Sequence, residues 1–395
     1  MTLPLFDFDT PRQDEPLQQT AQAPAGAVEV LDIESVEEDQ EVAADAQPVI
    51  STEILTPEGS GLEFSLTPEA AGGVYGRDAI IDEAFQWFRS RGFPYVTMPT
   101  FEMMQQINRL ALTPDHALRH TSEAYRVADV FHPHRFHATT NGKTSPLECF
   151  NADDKFRHAI ELVYDNGLKI PSQYFTQIGL SRGSQQCSQF RPGFACLLYR
   201  RFCSADATVL DTSTGYGGRL VGFVASLVKG AYIGIDPNTL THAGNRQLAD
   251  ALGVGHRVEL HNQAAEDVDA SVVAERCDFS FTSPPYFSKE HYSDEPTQSW
   301  VRYGHSFDAW VAGFLRPMLA LTYAALKPGA HGIVNIEDVT IKAKRYPLVR
   351  ATIESAIAVG LEHRGTELFE MQARFGANQD EDVATERVLI FRKAQ

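Results

Sequence analysis

Long apolar runs are missing from this 395-residue chain, and cysteine is scarce. No stretch approaches the roughly 20 consecutive apolar residues that a membrane-spanning helix needs. The opening "MTLPLFDFDT" lacks the basic start and apolar centre of a secretory leader. Cys149, Cys187, Cys196, Cys203 and Cys277 are odd in number and form no CxxC pair. That argues against a disulfide framework or a zinc ribbon and for reduced thiols in a cytoplasm. His132, His134 and His137 cluster in "VFHPHRFH", yet no second ligand pair has suitable spacing, so no metal is expected.

Positive charge is the other shortage. The chain holds 34 Lys and Arg against 52 Asp and Glu, a net −18 that would repel a polyanion if spread evenly. It is not spread evenly. Residues 1–60 carry 14 acidic side chains and one base, Arg12, which leaves only −5 on residues 61–395. That body is balanced enough to present a basic groove to nucleic acid. Residues 1–60 are also poor in aromatics and cannot bury enough apolar surface to offset ordering entropy. They are expected to form a disordered acidic tail. Its "LPLF" reads as a chance apolar cluster or as a docking peptide for a partner such as a replication clamp.

Helical spacing marks the region that follows. "RDAIIDEAFQWFRSRGF", "TFEMMQQINRLAL" and "DDKFRHAIELVYDNGL" place apolar residues three and four apart. After "SQFRPGFACLLYRRF" the texture changes. "ATVLDTSTGYGGRL", "AYIGIDPNTL", "HRVELHN", "CDFSFTSPPY" and "KPGAHGIVNIED" read as strands ending in turns, with helices between them. "TELFEMQAR" and "ERVLIFRK" close the chain as an antiparallel pair. Alternating strands and helices imply right-handed crossovers and an α/β fold with a doubly wound, mainly parallel sheet.

In such sheets ligands bind beyond the carboxyl ends of the strands, at the point where strand order reverses. The first strand ends at Asp211, and Gly215 and Gly217 in the next turn allow close backbone approach. G-x-G-x-x-G is not completed, because position 220 is Leu, so a dinucleotide pyrophosphate is disfavoured. A cofactor without phosphates, such as S-adenosylmethionine, tolerates this. Asp236, 25 residues on, ends the second strand where a carboxylate can accept from both hydroxyls of a ribose. It could equally open a turn and cap a helix.

At the fourth strand end, "SPPY" supplies Ser283 and the Pro284 carbonyl as acceptors with no strong nucleophile. Two acceptors would bind an NH₂ group whose lone pair is delocalised into a ring and favour its pyramidal form, freeing the pair to attack a sulfonium methyl. Tyr286 offers a stacking face, and Pro284 and Pro285 make the turn rigid. The competing reading is a plain rigid loop.

"FTSPPYF" resembles the (S/N/D)PPY motif of the amino-group DNA methyltransferases, which modify cytosine N4 or adenine N6. "LDTSTGYGG" and "GIDPN" are similar to the first two cofactor motifs of that family, and "SQFRPGF" to its F-x-P helix. The resemblance covers residues 185–395. It implies a Rossmann-like class I methyltransferase fold that takes S-adenosylmethionine. It assigns Phe190, Asp211, Gly215, Gly217 and Asp236 to the cofactor, and Ser283, Pro284, Pro285 and Tyr286 to catalysis on a flipped DNA base. It also implies a bacterial or phage-infected cytoplasm and leaves open a restriction nuclease as partner. Thr212, Ser213 and Thr214 depart from the family, standing where many members carry Pro and Phe.

No large insertion remains for target recognition. That role is expected of residues 61–184, a mainly helical accessory region, or of the loop at 288–306, where Glu295 and Gln298 would read base edges, with Phe287 just before it facing substrate. Other readings stay open: methylation of an RNA base or a protein glutamine, or a catalytically silent DNA-binding module. Glutamine methylases carry Asn where Ser283 stands, which favours DNA.

Overall fold

A computed structural model describes residues 76–140, 142–165, 184, 187–370 and 385–395. The expected acidic tail lies outside them. Helices α1 (Arg77–Arg91), α2 (Thr100–Leu112) and α3 (Asp115–Leu118) lead to two short 3-10 turns, Ala128–Phe131 and Pro133–His137, and to a two-residue strand β1 (Thr139–Thr140). Helices α4 (Pro146–Asn151) and α5 (Asp153–Asp165) follow. Ser145 and Glu148 start α4 reciprocally, each side chain accepting from the other's backbone N–H at 3.2 and 2.8 Å.

This region has two cores. Ile81, Phe88, Phe150, Phe156 and Ile160 join α1, α4 and α5 in a cluster of their own. Met103, Ile107, Leu110 and Leu118 of α2 and α3 instead pack into one cluster with Phe194, Leu220, Phe223, Phe279 and Phe281. A division at 184/185 therefore runs through a shared core.

The second half holds α6 (Pro192–Phe202), β2 (Val209–Asp211), α7 (Gly218–Ala225), β3 (Tyr232–Ile235), α8 (Thr239–Ala251) and β4 (Val258–His261). Next come β5 (Cys277–Thr282), β6 (Glu290–His291), α9 (Ser299–Tyr303), α10 (Phe307–Trp310) and α11 (Arg316–Ala325). The chain ends with β7 (Leu326–Ile336), β8 (Val339–Ile341), β9 (Lys344–Tyr346), α12 (Leu348–Ala358), β10 (Leu361–Glu370) and β11 (Thr385–Lys393).

The central sheet has the order β10-β11-β7-β5-β2-β3-β4. Its five strands from β7 to β4 are parallel, and β11 pairs antiparallel with both β7 and β10. This is the expected doubly wound sheet. Strands β2 and β3 are buried on both faces, which is why they read as unbroken apolar runs rather than alternating ones. Strand order reverses between β2 and β5, so the crevice opens beyond Asp211 and Thr282.

The helical stretch from α10 to α11 changes its winding part-way along. Pro317 has no N–H for the carbonyl of Gly313, and the backbone widens into a π turn over Val311–Leu315. The Tyr303 hydroxyl donates to that carbonyl instead, at 2.8 Å.

Candidate active site

A cavity of about 480 Å³ occupies the crevice. Ser283, Pro284, Pro285 and Tyr286 line it, together with Gly215, Asp236 and Phe190. Tyr286 is buried, and its hydroxyl accepts from Asn335 Nδ2 at 3.0 Å. The same amide reaches Ser283 Oγ at 3.5 Å, so one side chain from the end of β7 ties both ends of the turn together. The Tyr286 N–H donates to Glu290 Oε2 at 3.2 Å.

Phe287 departs from its expected place. Its N–H donates to the Pro285 carbonyl at 3.0 Å, and its φ of +57° is left-handed. That conformation is costly for a bulky residue. It carries the ring away from the cavity into an aromatic cluster, with centroids 4.9 Å from Tyr346, 5.5 Å from Phe307 and 5.8 Å from Trp310. Phe287 anchors the turn from behind and does not face substrate.

The two strand-end aspartates part company. Asp236 lines the cavity. Its Oδ2 accepts from Gly215 N at 2.8 Å and its Oδ1 from Asn238 N at 3.0 Å, which aims the carboxylate. Burial raises its pKa to about 6, against the opposing pull of those two N–H groups. Asp211 is fully buried behind the wall. Arg219 Nε donates to its Oδ2 at 2.7 Å, and Arg219 Nη2 to its Oδ1 at 3.3 Å. The Tyr232 hydroxyl also donates to Oδ2, at 2.7 Å, and the Ser213 N–H to Oδ1 at 3.2 Å. Asp211 is thus spent on the protein, shaping the turn after β2 without lining the cavity.

The glycines divide in the same way. Gly215 lines the cavity with φ +58°. Gly217 is absent from the wall. A Cβ there would stand 2.6 Å from Leu248 Cδ2 and 2.7 Å from Asn245 Oδ1, so this glycine admits α8 rather than a ligand. Asn238 caps α8 by accepting from Thr241 N at 3.0 Å.

Glu295 and Gln298 lie on the Asp236 side of the cavity. Both Glu295 oxygens accept from Thr239 N at 3.2 Å, so this carboxylate caps the start of α8 and is not in the cavity wall. Gln298 does line the cavity and is 5% exposed. The loop between them is tied down, with Thr297 Oγ1 donating to Pro237 O at 3.4 Å and Arg302 gripping both Asp267 oxygens at 2.9 and 2.6 Å.

The accessory region reaches the site. Thr121, Ser122 and Tyr125 line the cavity beside Gln189 and Phe190. Gln189 Nε2 donates to the Tyr125 carbonyl at 2.9 Å, while its buried Oε1 has no partner. The Phe190 ring stands 5.2 Å from Phe281 and 5.3 Å from the Arg219 guanidinium carbon. Strand β1 pairs antiparallel with β6 and so joins the accessory region to the segment just after the "SPPY" turn.

His132 and His134 pack against Tyr216, with ring centroids 5.9 and 5.5 Å away. Burial lowers their pKa values to about 4 and about 3, so both are neutral near pH 7. Among the described residues no three His, Cys, Asp or Glu gather as metal ligands.

Several cavity-lining residues escape a motif-based reading: Tyr125, Gln189, Arg219, Glu266 and Asn335. Asn335 carries a legible signal, as a polar residue inside the apolar run "GIVNI".

No sequence-family model and no curated protein matches this chain. Among solved structures it is similar to TrmN from Thermus thermophilus, at 17% identity and TM-score 0.37, over 51% of this chain and 48% of that one. The chain thus spans about half the length of that protein. It is also similar to the [4+2]-cyclase SpnF, at 16% identity and TM-score 0.37, over 56% of this chain and 83% of that one. A third is 1,6-didemethyltoxoflavin-N1-methyltransferase from Burkholderia thailandensis, solved with S-adenosylhomocysteine. There the identity is 15% and the TM-score 0.34, over 51% of this chain and 77% of that one. At such scores the likenesses carry no functional assignment.

Proposed function

We propose that this chain is an S-adenosylmethionine-dependent methyltransferase that acts on an exocyclic amino group, cytosine N4 or adenine N6, of a flipped DNA base. The observation that carries this reading is the convergence of Ser283–Tyr286 and Asp236 on one cavity at the reversal point of the sheet. The cavity, about 480 Å³, lies within the range of about 300–1,000 Å³ typical of small-molecule sites. Its chemistry fits the cofactor. Asp236 supplies an aimed acceptor for ribose hydroxyls, and Gln189 Oε1 is an orphaned acceptor suited to an ammonium.

The bound cofactor supplies an electrophilic methyl group. The chain's own residues hold the amine that receives it. Ser283 Oγ and the Pro284 carbonyl accept its two hydrogens, which stabilises the nitrogen as it becomes pyramidal, and no covalent enzyme intermediate is needed. Asn335 keeps Ser283 and Tyr286 in register. Tyr286 has little exposed area, so a target base meets it inside the cavity and not on an open face.

Single-turnover methylation tests the reading. Purified protein with labelled cofactor should label duplex DNA in preference to RNA or a glutaminyl peptide. Ser283→Ala should lower the single-turnover rate by roughly 10²-fold, the worth of one pre-placed polar group, with cofactor affinity unchanged. A fully active, stable Ser283→Ala protein would sink the mechanism, and labelling of RNA alone would move the substrate.

A further inference from the structure

The loop after the "SPPY" turn looks from sequence like a substrate reader, but its second half is anchored on the far side of the cavity. Glu295 caps α8, Thr297 holds the Pro237 carbonyl, and Arg302 and Tyr303 hold the turn at Glu266–Asp267. These anchors are the turns after β3 and β4, on the side of the cavity marked by Asp236. The loop is a strap across that side.

Gln298 sits at the centre of the strap. It occupies the N-cap of α9, where Ser, Thr, Asp or Asn would stabilise the helix by accepting a backbone N–H. Its side chain makes no such bond. It is 5% exposed, lines the cavity, and leaves its buried Nε2 donor without a partner. A buried amide donor left unpaired is destabilising until a ligand supplies an acceptor. Across the same strap, Glu266 Oε1 accepts from the Tyr303 hydroxyl at 3.1 Å and from Arg302 Nη1 at 3.3 Å. Its Oε2, also buried and also on a cavity-lining residue, has no partner. One orphaned donor and one orphaned acceptor therefore belong to this one side.

We infer that Gln298 is a specificity residue for the cofactor's purine, its Nε2 donating to a ring nitrogen while Glu266 Oε2 accepts from the exocyclic amine. The inference rests on the cofactor reading given above. An adenine edge presents an acceptor nitrogen beside an NH₂ donor. A hypoxanthine edge presents the reverse, N–H beside a carbonyl. A site built from one donor and one acceptor rejects the reversed pattern, because its own polar groups would then be left facing like groups. Through Gln298, the loop that follows the catalytic turn thus selects the cofactor.

The test is calorimetric and needs no turnover. Wild-type protein is titrated with S-adenosylhomocysteine and with S-inosylhomocysteine, and so are Gln298→Leu and Gln298→Glu, with melting temperatures recorded for each. Wild type should prefer the adenosyl ligand by roughly 100-fold, from two hydrogen bonds at about tenfold each. Gln298→Leu should lose about tenfold for the adenosyl ligand and little for the inosyl one. Gln298→Glu, which offers an acceptor to the hypoxanthine N–H, should narrow the preference further. An undiminished adenosyl preference in both variants, with binding otherwise intact, overturns the role of Gln298 and leaves the cofactor reading standing. Failure of wild-type protein to bind either ligand overturns both.

Discussion

Asp211 and Asp236 end neighbouring strands of one sheet, and each is followed by a turn that opens a helix. In sequence they are near equivalents. In the fold, Asp211 is enclosed by Arg219, Tyr232 and a backbone N–H, whereas Asp236 keeps its face to the cavity. A carboxylate at a strand end binds whichever donors arrive first. Arg219, in the first turn of the following helix, arrives at Asp211 from within the chain. Among the described residues no Lys or Arg forms an ion pair with Asp236, where two N–H groups aim the charge without neutralising it. One aspartate is structural and the other is available.

Mutations can break that contrast. The largest effect should come from Arg219→Ala, which leaves a fully buried carboxylate uncompensated. A loss of about 3–5 kcal/mol in unfolding free energy is expected by denaturant titration. A loss under 1 kcal/mol would mean that water or relaxation rescues Asp211. Asp236→Ala should act oppositely, with folding nearly unchanged and cofactor affinity weaker by about 1.5–3 kcal/mol. Unchanged affinity in calorimetry removes Asp236 from the site. Tyr232→Phe deletes one of several donors to Asp211 and should cost about 1–2 kcal/mol of stability, with cofactor affinity spared.

The smallest effect is one of pH. Burial holds the Asp236 pKa at about 6, and on the proposed reading its ionised form would accept from ribose hydroxyls. Affinity should be flat above pH 7 and fall as the pH drops through 6, by at most about tenfold per unit. Asp236→Asn should be weaker throughout and flat across pH 5–7. A wild-type profile that is flat down to pH 5 would separate ligand binding from this carboxylate.

The strands and their order were legible because each carries a short apolar run closed by a turn residue, and parallel strands need helices between them. That Ser283, Pro284, Pro285, Tyr286 and Asp236 gather on one cavity was legible because their strand-end positions coincide. Asp211 was misread because its partner depends on how α7 packs, which no local spacing reveals. Phe287 was misread by adjacency, since alternation along an extended chain does not survive a left-handed residue. Glu295 and Gln298 were recognisable as polar and loop-borne, but their direction is set by anchors at Thr239, Pro237 and Asp267. The contribution of Tyr125 needed the tertiary fold, because α2 and α3 join the sheet's core across some hundred residues of chain.

That shared core has a consequence during synthesis. Met103, Ile107, Leu110 and Leu118 leave the ribosome well before Phe279, Phe281, Ile333 and Val388, which complete the same cluster. At roughly 5–20 residues per second, the apolar faces of α2 and α3 wait on the order of 10–50 s for the last strand. The nascent chain therefore carries an unfinished hydrophobic surface through most of its translation. A holding chaperone acting during synthesis would meet this protein at residues 100–131, and slowing translation downstream should lower its soluble yield.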